Sequence, residues 1–428
     1  MSSASIPKGY KQTEVGVIPE DWHSPVLKNL GKPVRGGSPR PAGDPRYFNG
    51  EFIPWLTVAA LTNISDHQLV VTDTANKLTE LGSKYSRQLD CGDLIIANSG
   101  ATLGVAKILG IKCCANDGIA AILDLDENVS SEFIAQFINT KTSYLRDVVA
   151  TGNGQPNLNT ELIGNFSIPL PPLPEQRVIA QVLSDTDALI GSLDKLIAKK
   201  KGIKQGAMQE LLTGRRRVGN GVESSRVLEW KVGATSVPKG YKQTEVGVIP
   251  EEWECVKIAE HMKITTGSRN TQDRIDDGAY PFFVRSQTIE RINSYSYDGE
   301  AVLTAGDGVG TGKVFHYVNG KFDLHQRVYK MSEFSSDMHG YFFYLYFSTN
   351  FYARMMSMTA KSSVDSVRRE MIADMYIPLP PLAEQRAIAQ VLSDMDAEIA
   401  ELEERREKTK AMKQGLMQVL LTGKVRLV

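Results

Sequence analysis

Two stretches of this chain carry apolar residues at spacings of three and four. The first runs through Ile179, Val182, Thr186, Leu189, Leu193, Leu196, Lys200, Ile203 and Ala207. The second runs through Ile388, Val391, Met395, Glu398, Leu402, Arg405, Thr409, Met412 and Leu416. This seven-residue rhythm, imperfect in both, predicts long helices that pack along a coiled-coil seam. The run Ile168-Pro169-Leu170-Pro171-Pro172-Leu173 precedes the first. Each proline fixes its own φ and turns its predecessor away from helix, so the run is extended. Pro174 suits a first helical turn, and Glu175 suits the positive end of the helix dipole. Gly214 is a glycine of the kind that ends helices. Each helix is expected to hold about 39 residues and to span about 58 Å at 1.5 Å per residue.

Elsewhere the apolar pattern is shorter. Leu94-Ile95-Ile96-Ala97 and Ala301-Val302-Leu303-Thr304 lead into GATLGVAKI (100–108) and GDGVGTGKV (306–314), which share the pattern G-x-x-x-G-x-[AG]-K-[IV]. A strand entering a glycine turn is the natural reading of both. The aromatic run Tyr341 to Phe347 corresponds to Phe133 to Ile138, and both predict buried helices. Mixed α/β blocks follow.

The chain is written twice, and a repeat governs the fold. PKGYKQTEVGVIPE occupies 7–20 and recurs identically at 238–251, each time followed by an acidic residue and Trp (Asp21-Trp22, Glu252-Trp253). IPLPPLPEQRVIAQVLSD at 168–185 recurs as IPLPPLAEQRAIAQVLSD at 377–394, and KQGAMQELLTG at 204–214 as KQGLMQVLLTG at 413–423. Six segments result: an opening repeat (1–20), a first variable block (21–167), a central helix (168–216), a linker with the second opening repeat (217–251), a second variable block (252–376) and a C-terminal helix (377–428). A pseudo-twofold relation would pair the two helices antiparallel, with one head at each end and the chain termini near the first head.

Composition narrows the class. With 428 residues and 42% hydrophobic content, the chain can bury several domain cores. No apolar run reaches membrane-span length and the polar N-terminus lacks a signal-peptide core, so a cytoplasmic protein is expected. Cys91, Cys113, Cys114 and Cys255 show neither disulfide-framework nor zinc spacing. A formal net charge of −1 counts mildly against a lone DNA binder. A local basic face, or phosphate contacts from a partner, remains compatible with it.

Two similar heads on a rigid rod suit the reading of two separated half-sites, because half-site spacing in DNA mirrors protein spacing. At this point the sequence closely resembles the specificity subunits of type I restriction–modification systems. The resemblance rests on the duplicated PKGYKQTEVGVIPE-x-W, the duplicated IPLPP-L-x-EQR-x-IAQVLSD and the KQG-x-MQ-x-LLTG helix ends, and it covers the whole chain. It implies an α+β protein with two pseudo-symmetric α/β target-recognition domains joined by two long antiparallel coiled-coil helices. It implies double-stranded DNA as ligand, each domain reading half of a bipartite, asymmetric site. It also implies two methyltransferase subunits docked on the helices, and through them two motor–nuclease subunits. S-adenosylmethionine and ATP would be bound by those partners, with no cofactor in this chain. A non-catalytic coiled-coil scaffold, or a specificity subunit of a differently organised methyltransferase–nuclease system, is the alternative.

No catalytic or metal-binding residue is assigned. GDGVGTGK departs from a phosphate loop: Asp307 replaces the first glycine and Val314 the Ser/Thr after Lys313. No [DN]-P-P-[YF] methyltransferase tetrapeptide and no H-x-x-x-H pair occurs. Arg215-Arg216-Arg217 reads first as charge suited to a helix C-terminus, and second as a DNA or partner contact. Base readers must come from Arg, Lys, Asn, Gln, Ser and Thr on loops. In the first head these are Arg35, Ser38 and Arg40, then Asn98, Ser99 and Thr102, then Asn153, Gln155 and Asn157. In the second they are Ser268, Arg269 and Asn270, then Arg285 and Gln287, then Lys313, and last Lys361, Ser362 and Ser363.

Overall fold

The computed structural model describes residues 6–150, 156–218, 237–358 and 366–427. It divides into two units, Met1–Ile197 with Leu402–Val428, and Ala198–Glu401. Both long helices form, Leu173–Leu211 and Leu382–Leu420, each of 39 residues. Each helix contributes to both units, and within each unit the two run antiparallel. Lys413 pairs with Asp187 at 2.8 Å and Arg406 with Asp194 at 3.2 Å in the first unit, so rising numbers on one helix meet falling numbers on the other. In the second unit Lys204 meets Asp396 at 2.5 Å and Lys200 meets Glu398 at 2.6 Å. Lys204–Asp396 and Asp187–Lys413 are the same repeat positions, used once in each unit.

The seam of the central helix keeps Ile179, Thr186 and Leu193 of the expected set and departs from it elsewhere. Leu189, Leu196 and Ile203 face outwards, whereas Ile179, Leu183, Ile190, Leu193 and Ile197 are buried. From 179 to 197 the buried face advances 18 residues in five turns, which is the 3.6 period of a straight helix. The expected set kept a strict seven-residue step, which drifts about 20° per heptad on a straight helix and so leaves the packed face.

The repeated motifs make matched joints. Glu175 is fully buried and its carboxylate accepts from Trp22 Nε1 at 3.1 Å and from Arg426 Nε at 2.6 Å. Glu384 accepts in the same way from Trp253 Nε1 at 3.0 Å and Arg217 Nε at 2.6 Å. Gln176 Oε1 accepts from the Ser130 amide at 2.8 Å, beside the start of helix Ser131–Asn139. Gln385 does the same for the His339 amide at the start of helix Gly340–Ser357. Tyr10 Oη donates to the Gly423 carbonyl at 3.0 Å, and Tyr241 Oη to Gly214 at 2.9 Å. Gly214 and Gly423 both have φ of +69°, and a Cβ there would lie 2.5 Å and 2.4 Å from ring carbons of Pro250 and Pro19. Glycine is required at both helix ends on two counts. Arg217 is thus a structural member of the second joint.

Each head is built on a mixed sheet of matched order, antiparallel through its first four strands and parallel where the fifth joins. In the first unit it runs Lys32–Arg35, Ile119–Leu123, Leu94–Ala97, Ala106–Leu109, Val70–Val71. In the second it runs Lys263–Thr266, Val328–Ser332, Tyr297–Ala305, Phe315–Leu324, Tyr280–Phe283, Ile289–Ile292. The first head adds a four-stranded sheet around Phe48–Leu56. Helices Ser131–Asn139 and Gly340–Ser357 bury the two predicted aromatic runs against these sheets. Both strand-to-turn predictions hold, but the lysines of the two glycine motifs are not equivalent. Lys107 lies within a strand opposite Ile95 and is buried, whereas Lys313 lies in the turn and is exposed. The register puts His316, opposite Leu303, where Lys107 stands in the first head. Among the described residues no helix is long and apolar enough to cross a membrane.

Candidate nucleic-acid interface

In both heads three loops meet at one end of the central strands. In the first head the loop after Lys32–Arg35 lies against the turn 116–118 that opens strand Ile119–Leu123. Gly36 makes the approach possible: a Cβ there would lie 1.9 Å from the Asn116 carbonyl oxygen. The second head repeats this, since a Cβ on Gly267, after strand Lys263–Thr266, would lie 2.0 Å from the Leu324 oxygen. The glycine turn after the central strand completes each cluster. The chain then returns beside it, with the Leu158 amide donating to Asn98 O at 2.9 Å and the Val367 amide to Gly306 O at 2.7 Å.

Asp117 gathers four of the expected first-head residues. Its backbone oxygen accepts from Arg35 Nε at 2.8 Å and Asn98 Nδ2 at 3.1 Å. Its carboxylate accepts from Ser38 Oγ at 2.7 Å and stands 3.6 Å from Arg40 Nη2. The Ser38 hydrogen bond, helped by the charges of Arg35 and Arg40 against partial burial, holds the Asp117 carboxyl below its usual range. Arg35 and Arg40 are exposed at this surface. Asn98 is not: it is 1% exposed, and its Oδ1 has no partner among the described residues, so it supports the turn from inside. Ser99 is half-buried beside Gly118, and the Thr102 hydroxyl is buried without a partner. Asn157 is half-buried, next to the segment that returns to the cluster. Asn153 and Gln155 lie outside the described residues.

The second head is organised around two acids. Asp307, in the glycine turn, pairs with Arg285 at 3.0 Å and Arg327 at 3.7 Å. Asp323 is buried and accepts from Arg269 Nε at 3.1 Å, Ser294 Oγ at 2.9 Å and Ser296 Oγ at 2.8 Å. Burial pushes its carboxyl up, but the hydrogen bonds from Ser296, Ser294 and Arg269 outweigh this and leave it below its usual value. Asn270 Oδ1 accepts from Gln326 Nε2 at 2.6 Å, the counterpart of the Ser38–Asp117 contact. Ser268 and Gln287 are exposed, and exposed Lys313 lies 5.6 Å from the Tyr352 ring centre. Lys361, Ser362 and Ser363 lie outside the described residues.

Sequence reasoning missed Asp117, Asp307 as a partner of arginine, and Arg327. The Asn116-Asp117-Gly118 turn signal before an apolar run was available. Nothing local marks Arg327.

The comparisons agree on one family. A model described as the type I restriction modification DNA specificity domain matches twice, over residues 19–201 and 250–410. The MjaVIII type I restriction enzyme specificity subunit of Methanocaldococcus jannaschii is 25% identical over 438 residues, covering 96% of this chain and 94% of that protein. The crystal structure of the type I system S subunit from M. genitalium superposes with a TM-score of 0.60 at 11% identity, covering 93% of this chain and 96% of that one. A chain from a structural study of type I complex assembly and conformational transition gives 0.53 at 16% identity, over 95% and 99%.

Proposed function

The chain belongs to the type I restriction–modification DNA specificity family, and from that premise we propose how this specificity subunit divides its work. Each head reads one half of a bipartite, asymmetric double-stranded DNA site through its own loop cluster. The observation that carries this is the matched cluster itself. Two heads with unlike loop sequences bring Arg, Ser, Asn and Gln side chains to the same end of the same strand arrangement. These are the side chains able to read base edges: Arg on guanine, Asn or Gln on adenine. The unlike side chains at matched places predict unlike half-sites.

The subunit itself transfers no methyl group and cuts no DNA. Two methyltransferase subunits dock on its long helices and carry S-adenosylmethionine, and two motor–nuclease subunits join through them with ATP. The outward-facing residues of the central helix, Leu189, Leu196 and Ile203, are apolar surface available to such a partner.

The test is methylome sequencing of a host that expresses this chain with its methyltransferase partner, beside a chimera whose residues 21–167 come from another family member. One bipartite motif is expected, with one half altered in the chimera. No motif, or a change in both halves, would refute the division of labour.

A further inference from the structure

Both loop clusters place a carboxylate among the arginines that would face DNA. Exposed arginine beside DNA takes any phosphate, and phosphate contacts carry no sequence information. A carboxylate at the same surface repels the phosphate backbone, so it lowers affinity for every sequence alike. Both heads nevertheless place one there. Asp117 stands 3.6 Å from Arg40 and takes Arg35 on its backbone oxygen, with Ser38 fixing the carboxylate at 2.7 Å. Asp307 lies between Arg285 at 3.0 Å and Arg327 at 3.7 Å. The two acids are not repeat equivalents. Asp117 precedes strand Ile119–Leu123, whereas Asp307 follows strand Tyr297–Ala305. A carboxylate beside exposed arginine is reached from two positions in two unlike sequences, Arg40 in the first head and Arg285 with Arg327 in the second, which points to what it does to arginine and not to a shared folding requirement.

We propose that Asp117 and Asp307 are specificity-determining positioning residues. The Asp117 carboxylate draws Arg40, and the Asp307 carboxylate Arg285 and Arg327, away from phosphate, so that binding becomes strong only where a base edge offers a better partner. A guanidinium already tied at one edge keeps its remaining donors for a bidentate contact. Its fixed orientation also leaves less freedom to lose when that contact forms.

This inference rests on the half-site reading above, and the experiment separates the two. The site is mapped first from the methylome of the wild-type complex. The complex of this chain with its methyltransferase partner is then titrated over a salt series against three duplexes: the mapped site, the site with its first half scrambled, and the site with its second half scrambled. Asp117→Asn is expected to bind the first-half scramble several-fold more tightly and to lose about tenfold of first-half discrimination, the size of one base contact. Its salt dependence should steepen by about one phosphate equivalent. Second-half discrimination should not change. Asp307→Asn should show the mirror result, and its effect should shrink in an Arg285→Gln background and vanish when Arg327→Gln is added. A wild-type complex that does not distinguish the three duplexes overturns the functional reading itself. A discriminating wild type, with both variants discriminating equally well, overturns the positioning role alone. So does an equal loss at both half-sites with a lowered melting temperature, which is the signature of a structural role. If one variant fails to fold, the other head decides.

Discussion

Removing Arg426 should release the last turn of the chain while leaving its repeat counterpart intact. The Arg426 guanidinium donates through Nε and Nη2 to Glu175 at 2.6 and 2.8 Å and through Nη1 and Nη2 to Asp21 at 2.9 and 2.8 Å. It also lies 5.7 Å from the Trp22 ring centre. Arg426→Ala leaves Glu175, which has no exposed surface, with the Trp22 indole at 3.1 Å as its side-chain donor. Breaking a buried ion pair from one side costs about 3–5 kcal/mol. Arg426 itself keeps 28% of its side chain in solvent, so the low end, about 3 kcal/mol, is appropriate here. Every 1.4 kcal/mol is tenfold, so local opening should become about a hundred times more frequent. Amide hydrogen exchange reads this directly at Leu421, Gly423 and Val425, whose amides donate to Met417, Leu420 and Val419. The matching amides of Leu212, Gly214 and Arg216 should keep their rates. Arg217→Ala should reverse the pattern. Arg426→Lys should recover only part of the protection, since an ammonium keeps the charge but lacks the two-pronged fork. Acceleration below threefold at the C-terminal amides, or equal acceleration at both sets, would show that the buried ion pair does not hold the helix end.

Three further outcomes follow from the geometry. Gly36→Ala must move a backbone carbonyl now 1.9 Å from the new Cβ, so it should destabilise the first head by about 1–3 kcal/mol in urea titration and erase the first half of the methylation motif only. Leu193→Ala should cost about 2–4 kcal/mol and Leu196→Ala under about 1 kcal/mol, because the first side chain is 4% exposed and the second 38%; equal losses would restore the strict heptad seam. Asp323→Asn should destabilise the second head by about 1–3 kcal/mol near neutral pH. The Asp323 carboxyl titrates below the ordinary 3.8, so its stabilisation is full above that value and is lost as pH falls through the lower native one. The deficit of the variant, followed by denaturant titration, should therefore shrink in strong acid; a deficit that is constant with pH would contradict the ion-pair account.

Much of this protein was legible in sequence because the relevant physics is local or repeated. Proline runs at 168–172 and glycines at 214 and 423 mark helix limits through backbone sterics alone, and the helices begin and end beside them. The duplicated Trp, Glu-Gln and Gly-containing motifs announced two copies of one frame, and the Trp, Glu, Gln and Gly of each prove to touch other members of the repeat, while the two glutamines also reach the heads at Ser130 and His339. The tertiary structure alone decided the rest. Which side of the central helix is buried depends on what packs on it over 3.6 residues per turn, so Leu189 and Leu196, apolar and well spaced, still face outwards. Asn98 has reading chemistry and loop context, yet strand pairing draws it inside. The first head's cluster joins Arg35, Ser38 and Arg40 to Asp117 across about eighty residues, and the second joins Arg285 and Arg327 to Asp307. No periodicity or short motif encodes such meetings, because they are set by strand order and register, which only the folded sheet fixes.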